Sequence, residues 1–310
     1  MLNAATLEKL IEYRSRIGES VLAPRTRSNY AESWARFRKW CDTAGRCPMP
    51  ASAETVLLYL TETLMNGGKI SSCWSYIKGI NDAHRSAKIP GPEAAEIREF
   101  LKSAQRLRAE KPDKKLPLRV DHLRQICSAM LLRSRDSDIR NRSILTLGLA
   151  TALRRSSLMA LDLEDLCWVS KGLEVMIRRE KTDQMAKGRV IGVAPGDHPE
   201  TDPIAATKAW LDLRGSRPGA LFIELMYPRH RLNPRNVAKI VKAGMRSIGV
   251  DPKRYSGHSI RRGYATAAAD SGADAVAIMR VTGHRSIQSV IGYIDTDPFR
   301  GTVSSPMIGL

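Results

Sequence analysis

Through the N-terminal third of the chain, apolar side chains recur every three or four positions, the spacing of helices that bury one face. In RTRSNYAESWARFRKWC that face is Tyr30, Trp34, Phe37 and Cys41, and Arg25, Arg27, Arg36, Arg38 and Lys39 lie off it. A looser pattern predicts a short helix over 5–16. After the Pro48–Pro50 turn, Ser52 is placed to cap a helix over AETVLLYLTETLM, which Gly67 and Gly68 stop. The next helix, Ile70 to Ala87, turns Trp74, Ile77 and Ile80 inward. Ser72, Ser75 and Gly79 fall on its opposite side with Lys78 at the edge. Gly79 weakens the helix interior, so the element could end or bend there. Pro90 and Pro92 close the segment, and a fourth helix is predicted over 93–108.

The pattern breaks at LRAEKPDKKLPLR. Residues 109–119 hold two prolines, four lysines or arginines and few apolar side chains, the composition of an exposed linker. Beyond it, DHLRQICSAML and DIRNRSILTLGLATAL read as helices, the second strongly apolar, with Arg154 and Arg155 at its end. SLMALDLEDL follows as a short helix and turn. GLEVMIRRE and GRVIGVA alternate and are β-branched, so they read as two strands joined by a loop over TDQMAK. Helices are predicted over 202–214 and 234–248, the latter with Asn233 as N-cap and Pro234 as its first residue. The predicted fold is mainly α with a small β-sheet. A helical domain spans 1–108, a linker 109–119 and an α+β domain 120–310, the last ending in a sparse apolar tail after Ile294.

Charge narrows the function. The 310 residues carry a net charge of +18, and the pI is about 10.0. So large a basic excess points to a polyanion, most simply nucleic acid. Arg25, Arg27, Ser72, Ser75, Lys78, Lys114 and Lys115 are candidate DNA contacts on the first and third helices and the linker. Five cysteines form no CxxC pair and no metal-ligand spacing, and are expected to be reduced thiols. No signal peptide, membrane span or glycine-rich phosphate loop is evident. No cofactor or metal is expected, and a cytoplasmic, nucleoid-associated location is.

One stretch concentrates chemistry: GHSIRRGYATAAADSGADAVAIMRVTGHRSIQSVIGY, residues 257–293. His258 and Arg261, three apart, share a helix face. Tyr293 follows His284 by nine residues, which on one unbroken helix is a rotation of roughly 900° and places them on opposite sides. They converge only if the chain breaks. Gly283 and Ser286 supply the break, with Ser286 as N-cap of a new helix over 287–294. Arg262 is expected at the surface or against a phosphate. Tyr255 and Tyr264 compete with Tyr293.

The order His-x-x-Arg, Gly-His, then Tyr resembles the C-terminal signature of the tyrosine recombinases, the phage-integrase family, most closely its Cre-like members. TALRRSSL resembles the family's upstream arginine motif and places that arginine at Arg154, with Ala152 and Ser157 where the family often has glycine and glutamate. IRREKTDQMAKGRVIGV resembles its lysine hairpin and places the lysine at Lys181, with Lys187 close by. The resemblance implies an N-terminal core-binding domain and a C-terminal catalytic domain. It further implies six catalytic residues: Arg154, Lys181, His258, Arg261, His284 and the nucleophile Tyr293. Arg154 and Arg261 would clamp the scissile phosphate, His284 would donate to it, His258 would act as acid or base, and Lys181 would protonate the leaving oxygen. The partners implied are double-stranded DNA with paired inverted half-sites and three further copies of the chain. Recombination would proceed through a 3′-phosphotyrosyl link and a Holliday junction. A type IB topoisomerase-like enzyme and a DNA-binding regulator without catalysis are the competing readings.

Overall fold

The computed structural model describes residue 6 and residues 8–14, 22–109, 114–178 and 188–294. The chain forms two compact units, Met1–Pro112 and Asp113–Leu310.

The first unit is built from α1 (Pro24–Ala44), α2 (Ala53–Met65), α3 (Ile70–Ser86) and α4 (Ala94–Arg108). The Ser52 side chain accepts from the Thr55 amide at 3.1 Å and starts α2. Phe37, Cys41, Val56, Leu60, Cys73, Ile80, Ile97 and Leu101 fill the core. Aromatic rings extend it, with Phe37 edge-on to Tyr59 at 5.3 Å and Trp34 at 5.9 Å from Phe37. His84 is buried but satisfied: Nε2 accepts from the Ala51 amide at 3.0 Å, and Nδ1 bonds the Ile80 carbonyl at 2.8 Å. Gly79 departs from expectation. It does not end α3, and it is buried against α1 rather than set on the open side. A β-carbon there would lie 2.6 Å from Ser33 Cβ and 2.8 Å from the Tyr30 carbonyl oxygen, so glycine is what lets the two helices approach.

The second unit opens with α5 (Val120–Arg133), α6 (Asp136–Thr151) and α7 (Arg155–Ala160). A three-stranded sheet follows, β1 (Leu166–Val169), β2 (Gly172–Ile177) and β3 (Arg189–Val193), then α8 (Pro203–Arg214), α9 (Arg235–Ser247), α10 (His258–Asp270), α11 (Ala275–Thr282) and α12 (Ile287–Ile291). Helix α6 is buried on all sides from Arg142 to Gly148, which makes it the central helix of the unit. Leu173, Val175 and Ile177 point into the core with Leu158, Trp210, Phe222 and Val241 around them. The sheet is an antiparallel meander, with Val175 opposite Ile191. Strand β1 escaped the sequence reading. It is only four residues long, shows no alternation in burial and pairs through a tight turn at Ser170 and Lys171.

The linker also differs from expectation. Residues 116–118 are not exposed: Leu118 is fully buried, and the strap runs against α10. Leu116 donates to the Arg254 carbonyl and Leu118 to that of Ser259, both at 2.8 Å. The alternating leucines provide the apolar surface that a count of lysines and prolines concealed. Among the described residues, no helix is long and apolar enough to cross a membrane. All five cysteines are free.

Candidate active site

The site begins at the N-terminus of α10. Ser256 Oγ accepts from the His258 amide at 3.2 Å, and Ser259 Oγ accepts from the Ser256 amide at 2.9 Å. This fixes His258 as the first residue of the helix, exposed at its end. One turn on, Arg261 points inward and is 1% exposed. Its Nη1 donates to the Ala152 carbonyl at 2.8 Å. Ala152 caps the C-terminus of α6 in the left-handed region, φ 49°. Two residues later, half-buried Arg154 leads into α7, its carbonyl accepting from the Leu158 amide at 2.9 Å. The two arginine segments are thus bolted together through one backbone carbonyl.

The chain then returns. Gly283 ends α11 in the left-handed conformation at φ 64°. Ser286 Oγ accepts from the Ser289 amide at 3.3 Å and starts α12. The chain breaks between His284 and Tyr293, and the two rings meet with centroids 4.6 Å apart. The Arg261 guanidinium lies 5.7 Å from the Tyr293 ring centroid, and its Nη2 is 3.1 Å from His284 Nε2.

The partners fix the tautomer of His284. Thr282 Oγ1 donates its single proton to the Ile278 carbonyl at 2.7 Å, so at 2.8 Å it accepts from His284 Nδ1. Nδ1 therefore carries the proton, and Nε2 accepts from Arg261. Burial, then the charges of Arg261 and Arg154, push the His284 pKa down to about 4. This qualifies the donor role expected for His284: its Nε2 is here an acceptor. An anion between the arginines favours the imidazolium, which would then donate. His258 is also held below the usual imidazole value, by partial loss of water around its ring and then by the charges of Arg155, Arg261 and Arg154.

A titration follows. A histidine with a depressed folded pKa leaves the unfolded chain holding more protons at mildly acidic pH. Its stabilising contribution is complete above about 6.5 and is lost as pH falls toward about 4. In urea melts of the DNA-free protein, His284→Gln is expected to flatten the loss of stability across that window. Equal slopes for the two proteins would refute the assignment.

The other expected residues divide. Lys181 and Lys187 lie outside the described residues. The strand ends around them are tethered. Arg178 Nε meets Asp165 Oδ1 at 2.6 Å, and Arg189 Nη1 donates to the carbonyls of Arg280 at 2.9 Å and Val281 at 2.7 Å. Arg262 is not a surface arginine but is buried, with backbone carbonyls as hydrogen-bond acceptors. Tyr255 is buried edge-on to His122. Tyr264 is half-buried, and burial raises its pKa. Arg25, Arg27, Ser75, Lys78 and Lys114 are exposed, whereas Ser72 and Lys115 are half-buried.

Two features escaped the sequence reading. Thr282 was passed over, although two residues before a histidine is a short reach. Arg235, Lys239, Lys242 and Arg246 line the exposed side of α9 behind buried Val237, Ile240, Val241 and Met245. Their three-to-four spacing was legible and is a basic stripe. Among the described residues, no group of three or more His, Cys, Asp or Glu could hold a metal.

A tyrosine folded back onto a histidine and a buried arginine, at the edge of a mostly helical unit with one small sheet, defines the class of the tyrosine recombinases. Comparison with known proteins agrees. The Phage integrase family matches residues 116–299, and the chain belongs to that family. An integrase/recombinase xerD homolog of Selenomonas ruminantium is 29% identical over 285 residues, covering 89% of this chain and 83% of that protein. The tyrosine recombinase XerC of Corynebacterium glutamicum is 32% identical over 154 residues, 49% of this chain and 45% of that one. The Tn1549 transposon integrase, solved with transposon right end DNA, superimposes with a TM-score of 0.69 at 14% identity, covering 93% of this chain and 94% of that chain. The two sequence relatives carry XerD and XerC names, which bear only loosely on a likeness to Cre-like members.

Proposed function

We propose that the protein is a site-specific DNA recombinase that cleaves and rejoins duplex DNA through a 3′-phosphotyrosyl intermediate. The observation that carries this reading is the convergence of Tyr293, His284 and Arg261 across the break in the chain. In the cleavage step the Tyr293 phenol oxygen attacks the scissile phosphorus and the 5′-oxygen leaves. The bond lost is the phosphodiester, and the bond gained is the phosphotyrosyl ester. The phenol proton passes to His258 or water, and Lys181 protonates the 5′-oxygen. Arg154 and Arg261 bear the charge that builds on the non-bridging oxygens, the term that usually dominates such catalysis. The new ester conserves the energy of the old one, so a 5′-hydroxyl from a second strand reverses the step without ATP.

In the first unit Arg25, Arg27, Ser75 and Lys78 of α1 and α3 would face phosphates or base edges, and in the second the α9 stripe is a further basic surface. Four copies on two sites with paired inverted half-sites, exchanging strands through a Holliday junction in the nucleoid, complete the reading. The test is trapping on nicked duplexes drawn from a random-sequence pool by their binding to the protein. Loss of the short fragment beyond the nick strands the covalent intermediate. An adduct that survives denaturation is expected. Its absence favours a DNA-binding regulator, and relaxation of supercoils with no preferred site favours a topoisomerase-like enzyme.

A further inference from the structure

Arg262 follows Arg261 on α10 but turns away from the phosphate cradle and is 8% exposed. Its Nε donates to the carbonyl oxygen of Tyr293 at 3.2 Å, and its Nη1 donates to that of Lys115 at 2.6 Å. Lys115 begins the strap that runs over α10 to Leu118. That strap sits very close to the helix: a β-carbon at Gly263 would lie 2.1 Å from the Leu118 carbonyl oxygen. It is a rigid abutment, with buried Leu118 and two backbone bonds to residues 254 and 259. Tyr293 is otherwise held locally: its amide donates to the Val290 carbonyl at 2.8 Å. It stands two residues beyond α12, a helix of five residues, which is too short to be stable alone. The cluster it packs on has Ala265, Ile278 and Val290 at its centre, with Tyr264, Met279 and Ile294 against them.

We propose that Arg262 is a positioning residue for the nucleophile, tying the main chain of Tyr293 to the strap and so setting the approach of its phenol to the phosphate. The proposal rests on the reading of Tyr293 as nucleophile. A guanidinium suits this task because its planar fork bonds two carbonyls at a fixed angle, and its charge strengthens both bonds. Lysine can meet one of the two. A misplacement of about 1 Å at a reacting atom can cost on the order of 100-fold in rate.

The experiment uses full-length protein and the pool-selected nicked duplexes. Arg262→Gln is expected to slow adduct formation about 10- to 100-fold while half-site affinity stays within about twofold, since no phosphate contact is lost. Arg262→Lys should recover part of the rate. A duplex with sulfur as the 5′-bridging atom, which leaves without a proton, should restore Lys181→Ala but give Arg262→Gln no more gain than wild type. In the DNA-free protein, 3-fluorotyrosine placed at position 293 should give a ¹⁹F line that shifts or broadens in Arg262→Gln and is closer to wild type in Arg262→Lys. An unchanged rate and line, a loss of affinity matching the loss of rate, or a sulfur rescue like that of Lys181→Ala would each overturn the proposal. Failure of wild type to form any adduct strikes instead at the recombinase reading, and the fluorine line then decides the positioning question by itself.

Discussion

Tyr293→Phe is expected to abolish the covalent protein–DNA adduct and leave DNA binding intact. The substitution removes one oxygen and keeps the ring. The contacts that hold the ring are the His284 face at 4.6 Å and the Arg261 guanidinium at 5.7 Å, and phenylalanine makes both. The packing against Ala265, Ile278 and Val290 also persists. Folding and half-site affinity should therefore match wild type within error. The chemistry has no such substitute, because no other tyrosine is poised in the same way. Tyr255 is buried at 4% exposure against His122, and burial of Tyr264 disfavours its phenolate. Tyr255→Phe and Tyr264→Phe should still give the adduct. Peptide mapping of the trapped species is the decisive measurement. A phosphotyrosyl peptide carrying Tyr255 or Tyr264 would remove Tyr293 from its role.

Arg261→Ala is expected to damage both rate and fold. The guanidinium donates to the Ala152 carbonyl and to His284 Nε2 from a position 1% exposed. Its loss leaves buried acceptors without a donor, at about 1–3 kcal/mol each. On the proposed reading the site also loses one of the two charges that would bear on the phosphate, worth about 100- to 1000-fold in the chemical step. Arg261→Lys separates the two effects. A lysine keeps the charge and can meet one acceptor but cannot bond two in one plane. Stability should return in large part, while single-turnover cleavage should stay far below wild type. Thermal melts beside single-turnover cleavage provide the check. Recovery of rate along with stability in Arg261→Lys would show that charge alone, and not the fork, is what the site needs.

Much of this arrangement was legible in the sequence because local signals agreed with the global fold. Ser52 and Ser286 cap the helices their positions announce. The nine-residue interval to Tyr293 demanded a break, and Gly283 with Ser286 makes one. What could not be read depends on contacts between distant residues. Gly79 looks like a flaw in a helix until Ser33 and Tyr30 of another helix are beside it. Arg262 looks like a surface cation until the carbonyls of Lys115 and Tyr293, far apart in sequence, arrive at its two ends. The tautomer of His284 rests on Thr282 having already used its proton within the helix. Periodicity shows which side of an element is buried, but not which polar group on the far side of the core waits for it.

Ala152 carries a consequence for how the enzyme meets its substrate. An alanine at φ 49° costs roughly 1 kcal/mol that glycine would not. Glycine, however, would open many more backbone angles to the segment that leads to Arg154. The β-carbon of Ala152 is fully buried and confines the turn to one narrow well, which the Arg261 bond then fastens. If Arg154 and Arg261 hold the phosphate as proposed, their clamp is in this sense preorganised: its order is built during folding, and little entropy remains to be lost when a phosphate enters. Hydrogen exchange should show it. Ala152→Gly is expected to speed exchange of the amides of Leu153 and Arg154 in the free protein and to slow cleavage more than it weakens binding. Amides as protected as in wild type would mean that the clamp owes its order to its neighbours alone.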